Sequence, residues 1–287
     1  MSVALTVLQV TLREGLRRRL LLALFGLSLV AVLLTAWGYS QLHHLPPSRN
    51  GALQPAELQL IASQLLILVM FMFSFVLALS AVFAAAPSVA GELESGEALA
   101  VLARPVRRRD VLLGKWLGLS LVVVVYAALA SSLEFAATWL TTGYLPPHPV
   151  EAALYLGGMG LTLLTVTLLL STRVAPVTAG IVAMLLFGLA WLAGVVGGIG
   201  TALGDPATAW AATIGRILMP SDGLWRGALY SLEPGAVLIA GSKAGPALAA
   251  FPFFAPAPPP LLYLAWALIW NLGAFGLAMI SLERRDL

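Results

Sequence analysis

The residues best suited to chemistry gather in one hydrophilic stretch. Glu92, Glu94 and Glu97 come first, then Arg104, Arg107, Arg108 and Arg109. Helix formers run from Val89 to Ala103, and Pro105 stops them. Acid early and base late suit a helix macrodipole, so the pattern describes a short helix, polar on one side. Membrane topology accounts for the arginines but does not ask for the three preceding glutamates. A second position is Glu134, inside an apolar run with Ser131 and Ser132. An intramembrane acid is costly, so it marks either a group on a transport pathway or a paired, interfacial carboxylate. Other equipment is thin. The chain has no cysteine and three histidines, and the adjacent His43 and His44 lack acidic support for a metal. Gly241-Ser242-Lys243 has neither the order nor the spacing of a nucleotide-binding loop, and no HExxH or GxSxG string occurs. Enzyme chemistry on this chain is not expected.

The elements that must position these groups are membrane spans. Of 287 residues 60% are hydrophobic and 10% charged, where a soluble domain carries ~25% charge. Six runs reach the ~20 residues that cross a bilayer: 20–40, 60–86, 112–140, 152–172, 176–200 and 262–282. They are predicted helices, since the runs lack the period-two alternation of a barrel. Their only charges are Lys115, expected to snorkel to the inner surface, and Glu134. The window 235–254 reads as loop because Lys243 and Pro246 interrupt it. Residues 1–19 read as an amphipathic helix on the inner leaflet, with Leu5, Leu8, Leu12 and Leu16 opposite Gln9, Arg13 and Arg17, followed by an uncleaved first span. With both termini cytoplasmic, twelve Lys and Arg lie inside and four outside, as the positive-inside rule requires. Residues 87–111 then form the main inner loop, with Asp110 expected to cap the third span. Residues 201–261 form a long outer region. Asp205-Pro206 and Pro220-Ser221-Asp222 each start a short helix there, lying on the membrane or dipping into it. Gly114/Gly118 and Gly194/Gly198 have the GxxxG spacing of close helix contacts.

Taken in order, Glu92, Glu94, Gly96, Arg104-Pro105-Val106, Arg108 and Leu113-Gly114-Lys115 resemble the first cytoplasmic loop of ABC-2 type ABC transporter permeases. That loop reads E-x-E-x-G-T, an apolar run, R-P-V-S-R, then L-x-G-K; here Glu97 stands at the usual threonine and Arg107 at the usual serine. The loop looks like that of the group that includes the nitrous-oxide-reductase maturation permease. Pro220 to Arg226 and the C-terminal Arg284-Arg285-Asp286-Leu287 also resemble this group. The resemblance implies a single all-α, type V exporter-like domain over 1–287 in a cell membrane. Residues 87–111 would carry a coupling helix, with Glu92, Glu94, Gly96, Glu97, Arg104, Pro105 and Arg108 facing a separate ATPase. That ATPase would hold ATP and Mg, so no cofactor belongs to this chain. A second permease chain, as a homodimer, and membrane lipid complete the expected partners; nucleic acid is not among them. The alternative is a secondary transporter or channel without an ATPase, with Ser131, Ser132 and Glu134 on its pathway.

Overall fold

A computed structural model describes residues 3–17, 19–42, 54–94, 107–243 and 251–285. Among these there are ten helices and no strand. They are α1 (Val3–Arg17), α2 (Arg19–Leu42), α3 (Pro55–Glu94), α4 (Arg108–Thr142), α5 (Pro149–Ser171), α6 (Pro176–Leu203), α7 (Pro206–Leu218), α8 (Ser221–Leu232), α9 (Gly235–Lys243) and α10 (Leu261–Glu283). Six of them, α2 to α6 and α10, are long and apolar enough to cross a membrane, and they coincide with the six expected runs.

α3 and α5 form the centre. Leu66, Ile67, Met70 and Leu77 of α3 meet Leu156, Met159, Leu163 and Leu164 of α5 in one buried cluster. Small residues set the spacing: a Cβ on Gly160 of α5 would lie 2.7 Å from Val123 of α4 and 3.3 Å from Leu77 of α3. α2, α6 and α10 surround this centre and leave rows of large apolar side chains exposed, including Leu33, Leu34, Leu185, Leu189, Leu268 and Ile269. Such rows face lipid or another chain.

Two spans outrun the bilayer. α3 has 40 residues and α4 has 35, or about 60 and 52 Å at 1.5 Å per residue, against ~30 Å of hydrocarbon. The second run was expected to end at Ala86, yet α3 continues to Glu94 and passes through Pro87. Proline removes one backbone hydrogen bond, and packing by neighbouring helices tolerates this in membrane helices. The first eight residues of the expected inner loop, 87–94, are therefore an extension of a span. Asp110 lies within the first turn of α4, and Arg107 occupies the cap position.

Two further findings concern residues 201–261. The window 235–254, read as loop, contains α9, nine residues long and too short to span. Of the two arrangements left open for them, α7 and α8 take the one packed into the bundle. α7 folds back along α6, because Gly194, Gly197 and Gly200 leave room for backbone: a Cβ at Gly197 would be 2.7 Å from the Ala212 amide nitrogen, and one at Gly200 2.7 Å from that of Ala209. The contact stripe, Gly194–Gly197–Gly200, has three-residue spacing, not the four of Gly194/Gly198. α8 then climbs beside α5, from Leu224 at Gly158 to the Ser231 carbonyl, which accepts from the His148 amide.

Candidate functional site

Two polar assemblies stand out, one at the end of the bundle that carries both described chain ends, the other at the tip of the α7–α8 hairpin.

At the first, Lys115 of α4 is buried, with its ammonium donating to the Glu92 carboxylate and to the Ser88 carbonyl of α3. It does not snorkel, because the extension of α3 places a carboxylate within its reach. Glu92 thus turns toward its own chain. Arg108 donates to the carbonyls of Leu282, at 3.2 Å, and Arg285, at 2.7 Å, which closes the free C-terminal end of α10. Arg109 pairs with Glu283. Arg285 donates to the Thr172 carbonyl and Arg173 to the Ser281 hydroxyl, tying the α5–α6 turn into the same collar. α1 packs along α4 here instead of resting on lipid alone: a Cβ on Gly114 would lie 2.6 Å from the Ala4 carbonyl oxygen, and one on Gly118 3.0 Å from Thr11. The docked face runs through Ala4, Val7, Leu8 and Thr11, one step off the leucine stripe, and leaves Leu5 half exposed. Small residues win this contact because they permit close backbone approach. Glu94 ends α3. Gly96, Glu97, Arg104 and Pro105 lie outside the described residues.

The intramembrane candidates separate. Glu134 is 2% exposed, lies beside Thr35 and Tyr39 of α2, and its Oε1 has no hydrogen-bond partner among the described residues. Ser131 is buried on the same side, but its hydroxyl donates to the Ala127 carbonyl. Ser132 is exposed on the other side of α4. The three do not form one polar patch.

The second assembly was not anticipated. Asp222, 4% exposed at the start of α8, accepts from Arg216 Nε of α7 at 2.9 Å and has Arg226 Nε at 3.5 Å. Arg226 also donates to the Gly194 carbonyl, and burial holds its guanidinium below its usual pKa. The Tyr263 hydroxyl donates to the Pro220 carbonyl and fixes the tip to α10. Gly194 precedes the end of α6 at Leu203 by nine residues, so the tip reaches about 14 Å below that end. Phe71, Trp191 and Trp225 surround it, with ring centroids 5.3 and 5.5 Å from Phe71. Asp222 and Arg226 are four apart, the one sequence signal for the pair. Nothing in the sequence brings Arg216 to them. Beyond α8, Glu233 is fully buried; its Oε1 accepts from the Ala255 amide at 3.3 Å, and burial pushes its carboxyl up to about 8.

Among the described residues no three His, Asp or Glu side chains gather as metal ligands would. Six apolar helices around a packed centre define a multi-pass membrane protein. The family model described as "ABC-2 family transporter protein" matches residues 5–287, and the chain belongs to that family. It is a transport component of an ABC transporter, its membrane-spanning part. A stretch of 161 residues is 33% identical to the "Probable ABC transporter permease protein NosY" of Pseudomonas aeruginosa, covering 56% of this chain and 52% of that protein. The match thus spans about half of the relative's length.

Proposed function

We propose that this chain couples ATP hydrolysis on a separate ABC ATPase to outward movement of a cargo, or of a mechanical stroke, across the membrane, and that it works as a pair of identical permease chains. The end bearing both chain ends is cytoplasmic, as the twelve-to-four division of Lys and Arg expected from the sequence supports. The segment from Glu94 to Arg107, with Gly96, Glu97, Arg104 and Pro105, is the coupling surface; ATP and Mg bind the partner. Glu92 and Arg108 have a different part in coupling. They hold the spans that the segment moves.

One observation carries this reading. The coupling segment is bounded by two continuous helices, α3 and α4, that are bolted together by Glu92 and Lys115 before they enter the bundle. A push on the segment therefore moves both spans as one body, with α1 braced along α4. The competing reading, a secondary transporter, is favoured by Glu134, a deep carboxylate with one oxygen unpaired among the described residues, of the sort proton-coupled carriers use.

The test is co-purification with the cognate ATPase. The Glu94→Lys/Glu97→Lys variant is expected to lose the ATPase while remaining monodisperse. A complex that persists with normal ATP hydrolysis overturns the coupling assignment. Transport that survives without the ATPase and is lost in Glu134→Gln establishes the competing reading instead.

A further inference from the structure

The hairpin tip leaves buried donors without acceptors. The Ser221 hydroxyl and the Trp225 indole nitrogen, in residues 1% and 3% exposed, have no hydrogen-bond partner among the described residues. They stand four apart on α8 and so share one face. Both residues line a small cavity beneath the tip, walled by Phe71 and Ser74 of α3 and by Phe187 and Trp191 of α6. Its volume is about 10 Å³, room for a single particle of the size of a water molecule. α8 itself begins here. Its cap residue, Pro220, offers no side-chain acceptor, and Ser221 and Asp222 are buried. The start of the helix therefore has neither a side-chain cap nor open contact with water, although its amides need acceptors.

The charge balance points the same way. Asp222 is one carboxylate between two guanidinium groups, Arg216 at 2.9 Å and Arg226 at 3.5 Å. Arg226 Nε forms no hydrogen bond among the described residues, and the charges that act on it are those of Asp222 and Arg216. The cluster thus carries one positive charge in excess. Asp222 lines the cavity too, but its charge is spent on the two arginines. An indole N–H can only donate. A water molecule would answer these donors but bring two protons that need acceptors of their own. A monatomic anion accepts from every donor, balances the excess charge and suits the positive end of a helix dipole.

We propose that this cavity is a binding site for one halide ion, such as chloride, held by Ser221, Trp225 and the start of α8 in the field of Arg216 and Arg226. The cavity is too small for phosphate or sulfate. The ion bridges α8 to the walls on α3 and α6, so occupancy seats the hairpin tip in the bundle. The site stands apart from the coupling reading, because filling it requires no ATPase.

The test uses the full chain in detergent, exchanged into sodium gluconate and titrated with chloride or bromide at constant ionic strength. Chloride is expected to raise the melting temperature along a saturating curve, by roughly 5–10 °C at a hundredfold excess over its Kd. Bromide, a heavy-atom quencher, should quench part of the tryptophan emission along a curve that also saturates. Ser221→Ala and Trp225→Phe should each weaken halide binding about tenfold, the weight of one hydrogen bond to a charged group. Trp225→Phe should also remove the quenched component. Trp210→Phe, at an exposed position of α7, should change neither response. The quantity read is the halide dependence, so a variant that is merely less stable still reports. Melting temperature and emission that are alike in gluconate, chloride and bromide overturn the proposal, and the cavity then holds water. So does a halide response that grows without saturating, or one that Ser221→Ala and Trp225→Phe both leave unchanged.

Discussion

Removing the Lys115 ammonium should loosen the joint between α3 and α4, and the structure sets the size of the effect. The Lys115 side chain is 11% exposed and that of Glu92 25%. Breaking a buried pair by deleting one partner costs about 3–5 kcal/mol, because a charge stays behind without compensation. Glu92 is a quarter exposed and can recruit some water, so Lys115→Met is expected to cost about 2 kcal/mol. At about 2–4 °C per kcal/mol for a chain of this order, the melting temperature falls by roughly 4–8 °C. Adding Glu92→Gln should restore most of the loss, since no charge is then stranded, and the double-mutant cycle should show a coupling of about 1–2 kcal/mol. Tryptophan fluorescence of the purified protein in detergent follows the transition. The same variants, bound to the ATPase, should hydrolyse ATP while transporting poorly. Additive losses in the two single variants, with no recovery in the double, would refute the claim that this pair joins the spans.

Two further outcomes are expected. Asp222→Ala leaves Arg216 and Arg226 facing each other without a counter-charge at the hairpin tip; it should cost about 3 kcal/mol, the low end for a buried network because the Arg216 side chain is 31% exposed. Limited proteolysis between α7 and α8 should then speed up, and an unchanged melting temperature and cleavage rate would count against the ion triad. For Glu233 the folded carboxyl titrates at about 8, above its ordinary value of 4.5, so the folded state keeps a proton that the unfolded chain has released. Stability therefore falls as pH rises between these values, by at most about 1.4 kcal/mol per unit. Glu233→Gln should remove that slope, which parallel melting curves from pH 6 to 8.5 for wild type and variant would contradict.

Periodicity and charge made much of this chain readable in advance. The six spans, the Asp205 cap that accepts from the Ala207 and Thr208 amides, and the restart of a helix after Pro220 follow from local chemistry. The end of the second span was not legible, because Pro87 followed by Glu92 and Glu94 looks like the close of an apolar run, whereas α3 keeps its helix through Pro87 by packing on its neighbours. Lys115 was misread for a related reason. Its environment depends on how far α3 extends, which no local pattern states. The glycines were half legible: Gly114 and Gly118 have the right spacing, but their partner is α1, and the Gly194–Gly197–Gly200 stripe works at a spacing that the motif does not describe.

By itself the sequence determined that this is a membrane protein with six membrane-spanning helices and which residues must lie in the apolar phase. Each of these follows from transfer of side chains between water and hydrocarbon, and that depends on local composition. The tertiary structure decided which polar groups meet. Glu92 turns inward to Lys115, Arg108 closes α10, and Asp222 collects two arginines about 14 Å below the end of α6. Those pairings join helices distant along the chain. They exist because a charge removed from water must find a partner among whatever side chains the packing brings within reach.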